Sequence, residues 1–409
     1  MTSPNPPKAG SPFKRDHAPP AVKRKKGAGR PSRLKQSAAL RARRGSIWEL
    51  ANRQLRDLNV YEPGRPIEET ARELGVTPDA IVKLASNENP LGPSPKAIQA
   101  MRVALENAHL YPDGGGLYLC RAVAAKLGLA PENIILGNGS SEVIEFLGHA
   151  FLNPGDDVIT SEYAFIVYKL LATSFGARTI QVPAPEFRQN LDGMLNAVTR
   201  KTRLIFIPNP NNPTGTLISQ RKIDSFMSRV PENVIVVFDE AYFEFLDDPP
   251  DTLRYVRDGR SVVVLRTFSK IHGLAGLRIG YGVARSELLE VLHKTRQPFN
   301  VNSIAHAAAL AALNDEAHQR ETKRVVDDGR AYLQEKFAEL KIPFVPGVAN
   351  FVMVNVGDGS AVFEQLLKRK VIVRLLKGYG LPEWVRISVG TMQENEKCIA
   401  ALRDVTRGQ

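Results

Sequence analysis

A single lysine, Lys270, stands where an apolar segment of the chain ends. It follows the run VVVL at 262–265 and lies in RTFSKIHGLAGLRIGYG, with Arg278 eight residues later. A lysine held in a partly buried site at a strand end can have a lowered pKa and act as an amine nucleophile. Arg278 supplies a planar fork that suits phosphate, and Ser269 supplies a further donor. A solvated surface lysine is the alternative, and these neighbours argue against it.

Three other polar segments also follow apolar runs. NIIL leads into GNGSSE, LIFIP into NPNNPTG, and VIVVF into DEAY. Asp239, after VIVVF, requires a cationic ring, a metal or an arginine, because burying an unpaired carboxylate costs several kcal/mol. Asn212 adds an amide and Tyr242 a phenol, while Ser140 and Ser141 precede a helix whose N–H groups can bind an anion. Taken alone, GNGSSE also fits an ordinary helix N-cap, and NNPTG also fits a tight turn between a strand and a helix.

The elements that must position these residues are short apolar strands. From about residue 133 the strand candidates are NIILG, DVITS, RTIQVP, RLIFIP, VIVVFD, SVVVLRTF and RIGYGVA, separated mostly by amphipathic segments. This pattern predicts an α/β fold with a mostly parallel sheet covered by helices on both faces. Ligands of such sheets bind beyond the carboxyl ends of strands, where the four polar segments fall. The pattern also predicts a large domain at 82–305 and a smaller α+β domain formed by 46–81 and 306–409.

Together these groups match one cofactor, pyridoxal phosphate. It forms a Schiff base with a lysine and needs an acid partner at its ring nitrogen. The glycine fingerprints of ATP and dinucleotide sites are absent from the sequence. No metal is predicted, since the seven histidines are scattered and Cys120 and Cys398 are too few for a metal site or a disulfide framework. The two cysteines fit a reducing cytoplasm.

NNPTG, DEAY and the SK…R spacing resemble the aminotransferases of the aspartate aminotransferase fold, which is fold type I of the pyridoxal phosphate-dependent transferases. The resemblance covers nearly all of 46–409. Within that fold, ASNENPLGPSP, YPDGGG, RTFSKIHGLAGLRIGYG and VRISVGT are most similar to the histidinol-phosphate aminotransferase subfamily. The implied reaction transfers an amino group from L-histidinol phosphate to 2-oxoglutarate. An aromatic amino-acid aminotransferase and a threonine-phosphate decarboxylase remain alternatives.

The resemblance also implies a role for each matching residue. Lys270 would hold the cofactor covalently and move the proton during transfer, and Asp239 would pair with the pyridinium nitrogen. Tyr242 and Asn212 would hydrogen-bond the 3′ oxygen, and Phe165 would stack on the ring. The residues that would hold the cofactor phosphate are Ser140, Ser141, Thr267, Ser269 and Arg278.

Further residues are implied for the substrate and for a second subunit. Arg386 and Arg374, with Tyr61, would bind the phosphate ester of histidinol phosphate, and Asn87 would line the pocket near the imidazole. Tyr111 of YPDGGG would reach the cofactor phosphate of the neighbouring subunit, which predicts a homodimer.

The net charge of +12 is confined to the start of the chain. Residues 1–44 contain thirteen Lys or Arg and one Asp, which leaves 42 basic and 42 acidic side chains in the remainder. We expect the Pro-, Gly- and Ser-rich tail, 1–45, to be disordered. It is either a solubilising extension, a wrongly assigned start, or a segment that contacts an anionic surface. The neutral charge of the remainder does not predict nucleic-acid binding. The sequence has no apolar run of about 20 residues, so no membrane span is predicted.

Overall fold

The computed structural model describes residues 47–56, 58 and 64–406. The predicted tail and Tyr61 therefore lie outside the described residues. A helix predicted from SIWELANRQLRDL is instead two short 3-10 turns, Ile47–Glu49 and Arg53–Leu55. Short helices depend on burial of an apolar face, and Ile47 and Leu50 are exposed.

The described residues form twelve strands and thirteen α-helices. The strands are β1 (Val82–Leu84), β2 (Ile134–Gly137), β3 (Asp157–Ser161), β4 (Arg178–Val182), β5 (Thr202–Pro208), β6 (Ile235–Asp239), β7 (Val262–Thr267), β8 (Gly280–Ala284), β9 (Phe344–Val345), β10 (Phe351–Asn355), β11 (Val371–Leu375) and β12 (Trp384–Ser388). The helices are α1 (Ile67–Leu74), α2 (Pro95–Leu105), α3 (Leu117–Leu127), α4 (Ser140–Phe151), α5 (Val167–Ser174), α6 (Leu191–Asn196), α7 (Gln220–Met227), α8 (Leu253–Arg257), α9 (Ser286–His293), α10 (Ser303–Leu313), α11 (Glu316–Glu339), α12 (Gly359–Lys368) and α13 (Met392–Thr406).

The larger sheet has seven strands in the order β2-β8-β7-β6-β5-β3-β4. β3, β4, β5, β6 and β7 run parallel to one another, and β8 is antiparallel to both β2 and β7. Alternate residues of β7 enter different cores: Val262 and Val264 pack with helices such as α3 and α10, and Val263 and Leu265 with α4 and α9. Because both faces are covered, inner strands such as β6 and β7 are largely apolar, as the sequence pattern predicts.

The smaller sheet has five strands in the order β1-β11-β12-β10-β9. β1 is parallel to β11, and the other pairs are antiparallel. Residues of α11, α12 and α13 form one core with this sheet. The predicted division placed β1 in the larger domain, but its pairing partner lies in the smaller sheet. We propose the two-domain division with β1 assigned to the smaller domain.

Candidate active site

Ends of neighbouring strands bring the predicted residues to one cavity. Pro208, Asp239 and Leu265 are aligned in register across β5, β6 and β7, so the segments that follow these strands leave the sheet at one edge. The cavity there has a volume of about 220 Å³. Thirteen of the fifteen predicted site residues line it: Asn87, Ser140, Ser141, Phe165, Asn212, Asp239, Tyr242, Thr267, Ser269, Lys270, Arg278, Arg374 and Arg386.

Lys270 lies on the loop after β7, and its ammonium group contacts backbone carbonyls. Nζ lies 3.4 Å from the oxygen of Ser86 and 3.2 Å from that of Asn87. Burial, together with the charges of Arg386 and Arg278, lowers the pKa of Lys270 to about 8, against the opposing effect of Glu88. Because a neutral amine is the nucleophilic form, Lys270 is suited to covalent chemistry near neutral pH.

We expect the amine of Lys270 to titrate near pH 8 in the cofactor-free protein, where an unperturbed lysine titrates at about 10.4. Its reactivity should rise as the pH passes through that value, since deprotonation produces the nucleophile. The measurement is the rate of labelling of Lys270 by an amine-reactive reagent at each pH, read by peptide mass spectrometry. The exposed Lys294 serves as the reference for reagent activity. A midpoint at or above pH 10 would contradict the assignment.

Asp239 is held by a residue that the sequence analysis did not identify, Tyr168. The Tyr168 hydroxyl donates to the carboxylate at 2.7 Å, and the Ala241 N–H donates to its other oxygen at 3.2 Å. Tyr168 is fully buried and stacks on Phe206 with ring centroids 4.4 Å apart. Burial raises the pKa of Asp239, while the Tyr168 hydrogen bond opposes the rise. The carboxylate therefore has an orienting donor, and its burial favours pairing with a cation.

Two glycines lie at close contacts in the region predicted to hold the cofactor phosphate. Gly139 precedes α4 with φ of 73°, and a Cβ there would lie 2.5 Å from the Arg278 guanidinium. A Cβ at Gly280 would lie 2.4 Å from the Ser140 nitrogen. Since only glycine fits at both positions, the start of α4 and Arg278 converge on one small space. A helix N-terminus and a guanidinium together favour an anion.

The hydroxyl residues of the lysine loop flank the same space. Thr267 and Ser269 are both buried. The Ser269 N–H donates to Thr267 Oγ1 at 3.1 Å, and Arg278 Nη1 lies 3.5 Å from Ser269 Oγ. These contacts fix the turn that leads into Lys270, so the position of the amine depends on the anion-binding region.

A second pair of arginines lies on the smaller sheet. Arg374 and Arg386 are opposite each other in the antiparallel pair β11–β12. Arg386 is buried and donates to Asn212 Oδ1 at 2.5 Å and to the Ala85 oxygen at 2.8 Å. Tyr379 also lines the cavity, although it belongs to none of the sequence motifs. The cavity thus contains a second cationic region, distinct from that at Arg278.

Tyr111 does not line the cavity of its own chain. Its side chain is 83% exposed and stacks on Phe299, with ring centroids 4.8 Å apart. Asp113 accepts hydrogen bonds from the N–H groups of Gly115 and Leu117, which fixes the loop that carries Tyr111. An exposed, fixed tyrosine fits the predicted role in a neighbouring subunit.

A buried ion pair ties together the two strand ends that carry Asp239 and Lys270. Arg266 Nη2 lies 2.9 Å from Glu240 Oε2, with side chains 6% and 3% exposed. The guanidinium also lies 3.5 Å from the centre of the Phe243 ring. Thr252 donates to the second carboxylate oxygen of Glu240 at 2.5 Å, so both charged groups are well satisfied.

Replacing Arg266 by methionine should lower the free energy of unfolding by about 3–5 kcal/mol, because Glu240 would be left buried and unpaired. The measurement is denaturant unfolding of the cofactor-free protein at pH 7. Arg324→Met is the matched control, since Arg324 pairs with Glu321 on the surface and such pairs contribute little. Equal losses in the two variants would show that the buried pair is not important for stability.

Comparison with known families and structures identifies the class. Residues 79–402 match the model of the family "Aminotransferase class I and II", and the chain belongs to this family. The histidinol-phosphate aminotransferase of Akkermansia muciniphila is 52% identical over 361 residues, which is 88% of this chain and 99% of that protein. The histidinol-phosphate aminotransferase of Moorella thermoacetica is 48% identical, covering 85% and 91%.

The fold is similar to that of solved aminotransferases. A crystal structure of histidinol-phosphate aminotransferase from Sinorhizobium meliloti in complex with pyridoxal-5'-phosphate has a TM-score of 0.78 and 28% identity, covering 88% of this chain and 98% of that one. The prediction of fold type I is confirmed. Among the described residues, no helix is long and apolar enough to span a bilayer, and no group of three or more His, Cys, Asp or Glu side chains is placed to hold a metal.

Proposed function

We propose that this chain is a pyridoxal phosphate-dependent aminotransferase of histidine biosynthesis. It transfers the amino group of L-histidinol phosphate to 2-oxoglutarate and yields imidazole acetol phosphate and L-glutamate. The observation that carries the proposal is the pair of cationic regions in one cavity, one at Arg278 and one at Arg386 and Arg374. Both Arg278 and Arg386 lie close enough to Lys270 to lower its pKa. One region suits the cofactor phosphate and the other an anionic substrate.

The described residues fit the cofactor. The glycine-lined space at the start of α4 suits the phosphate of the cofactor. Lys270 is suited to bond its carbonyl carbon, and the buried Asp239 is suited to pair with its ring nitrogen. When bound, the cofactor supplies an electron sink for the bond broken at the substrate carbon. Lys270 supplies the amine that accepts a proton from that carbon and returns it, since a pKa of about 8 is suited to both directions of transfer.

Asp239 keeps the ring nitrogen protonated. Burial makes an isolated carboxylate unfavourable, so a cationic partner inside the cavity stabilises it. The Tyr168 hydroxyl donates to one oxygen of the Asp239 carboxylate at 2.7 Å, and this hydrogen bond fixes the orientation of the carboxylate. Phe165 also lines the cavity and provides an apolar face on which the ring stacks.

Substrate choice rests on the second cationic region. Arg386 and Arg374 bind the phosphate ester through charge-assisted hydrogen bonds, for which the guanidinium fork is suited. Tyr61 is proposed to assist from outside the described residues. The names of the relatives at 52% and 48% identity agree with this choice over an aromatic amino acid or threonine phosphate.

We also propose that the protein acts as a homodimer in the cytoplasm. The exposed Tyr111 side chain would complete the phosphate site of a second copy. Cys120 and Cys398 are buried free thiols, as expected in a reducing compartment.

The test is a comparison of kcat/KM for L-histidinol phosphate, L-histidinol, phenylalanine and threonine phosphate, with 2-oxoglutarate as acceptor. Histidinol phosphate should exceed histidinol and phenylalanine in kcat/KM by at least about 10²-fold, because only histidinol phosphate offers the phosphate ester that Arg374 and Arg386 hydrogen-bond. Arg374→Gln should remove most of the preference over histidinol. A preference for phenylalanine would favour an aromatic amino-acid aminotransferase. Release of CO₂ from threonine phosphate would favour a threonine-phosphate decarboxylase.

A further inference from the structure

Ser388, on β12, makes two hydrogen bonds to Asn87, a residue 301 positions earlier. The Asn87 N–H donates to Ser388 Oγ at 2.8 Å, and the Ser388 hydroxyl donates to Asn87 Oδ1 at 2.9 Å. Asn87 and Ser388 are 1% and 3% exposed. Water therefore does not compete for these bonds, and the pair forms a fixed unit behind the cavity wall.

The second of these bonds sets the orientation of the Asn87 amide. A serine hydroxyl has a single hydrogen, and here it is donated to Oδ1. The Nδ2 group must then face the opposite side, where it donates to Tyr242 Oη at 2.9 Å. The backbone of Asn87 is also fixed, since its φ is 54° and Asn350 donates to its carbonyl at 3.0 Å. Asparagine is among the few side chains that tolerate this conformation.

We propose that Ser388 and Asn87 are positioning residues that make Tyr242 a hydrogen-bond donor toward the cofactor cavity. Because Tyr242 Oη already accepts from Asn87, its own hydrogen is available to an acceptor in the cavity. If the amide were reversed, Tyr242 would donate to Asn87 and present lone pairs to that acceptor. This inference rests on the proposed function, together with the role that the family resemblance implies for Tyr242 beside the 3′ oxygen of the cofactor.

The surroundings of Tyr242 support a neutral donor. Burial raises the pKa of Tyr242 to about 12, against the lowering effects of Arg386 and the Asn87 hydrogen bond. The phenol thus keeps its hydrogen at neutral pH. Its ring is fixed by an edge contact with Phe351, with centroids 5.2 Å apart, so the direction of donation depends on Asn87 and not on ring rotation.

The experiment compares Ser388→Ala, Tyr242→Phe and the double variant in the cofactor-loaded protein. The readout is the midpoint of the pH titration of the visible absorbance of the cofactor bound at Lys270, with the cofactor Kd from equilibrium dialysis as a second readout. Tyr242→Phe should raise the midpoint by about 1 pH unit. Without the Tyr242 donor, the 3′ oxygen of the cofactor holds the proton shared with the cofactor-bound Lys270 nitrogen more tightly. Ser388→Ala should raise the midpoint by about half as much and weaken cofactor binding by about 3-fold.

The double variant decides whether Ser388 acts through Tyr242. We expect Ser388→Ala to add no further shift in the Tyr242→Phe background. Ser388→Thr, which keeps the hydroxyl, should retain the native midpoint, and Ser228→Ala, at an exposed serine, controls for loss of a hydroxyl elsewhere. An equal shift from Ser388→Ala in both backgrounds, or none in either, would overturn the inference.

Asn87→Asp provides a second variant if Ser388→Ala does not fold. It replaces the donating amide by an acceptor, so Tyr242 should be drawn away from the cavity and the midpoint should rise although Ser388 is intact. If Tyr242→Phe shifts the midpoint but Asn87→Asp leaves the midpoint unchanged, the inference is overturned. If Tyr242→Phe itself causes no shift, then the proposed position of the cofactor oxygen is wrong and the failure lies in the proposed function.

Discussion

Replacing Lys270 by alanine should reduce kcat by about 10⁴- to 10⁶-fold, because one side chain supplies both the covalent attachment and the proton transfer. The visible absorbance of the lysine-bound cofactor should also disappear. Lys270→Arg should be equally inactive, since it keeps the positive charge but not a titratable amine. The measurements are steady-state kcat with histidinol phosphate and the absorbance spectrum of the loaded protein.

The matched control is Lys294→Ala, which removes an exposed lysine and should leave kcat unchanged. Retention of the absorbance band together with native turnover in Lys270→Ala would show that another amine binds the cofactor. Activity restored by arginine at position 270 would show that only the charge matters. Either result would contradict the role that the burial and lowered pKa of Lys270 support.

Asp239→Asn should lower kcat by about 10³-fold while it stabilises the cofactor-free protein. The loss of activity follows from losing the anion that keeps the ring nitrogen protonated, a contribution of several kcal/mol in a buried site. The gain in stability follows from burial, which raises the pKa of Asp239 in the folded chain. The folded state then binds more protons than the unfolded state, so the charged carboxylate costs stability as the pH rises through its folded pKa.

The two effects are measured separately. Thermal unfolding of the cofactor-free protein at pH 7 should give a higher Tm for Asp239→Asn than for the native chain, and the difference should shrink below the ordinary carboxyl pKa of about 3.9. Tyr168→Phe is the companion variant, because it leaves the carboxyl group of Asp239 in place but removes its 2.7 Å donor. A lower Tm for Asp239→Asn at pH 7, or native kcat, would show that the charge of Asp239 is compensated by groups other than the cofactor.

The strand pattern allowed much of the larger sheet and its site to be predicted. Continuous apolar runs such as VVVL identified strands buried on both faces, and the polar residues after them, Asp239 and Lys270, fell at one edge because parallel strands end together. GNGSSE predicted a helix N-terminus that can bind an anion. The family resemblance added the substrate arginines, Arg374 and Arg386, which line the same cavity.

Other features depend on contacts between distant residues, which a local pattern does not encode. Tyr168 meets Asp239 across 71 positions and Asn87 meets Ser388 across 301, and neither contact has a periodic signal. The one local signal for Tyr168 is its position three residues after Phe165 in SEYAFIVY. The pairing of β1 with β11 was likewise hidden, since a three-residue strand has no alternation long enough to show its partner.

The first half of the proposed reaction is measured by mixing the cofactor-loaded protein with L-histidinol phosphate in the absence of an acceptor. We expect loss of the visible absorbance and formation of imidazole acetol phosphate in proportion to the active sites. Addition of 2-oxoglutarate should then restore the absorbance and produce glutamate. An unchanged spectrum with histidinol phosphate, alongside a rapid change with phenylalanine or release of CO₂ from threonine phosphate, would contradict the proposed function.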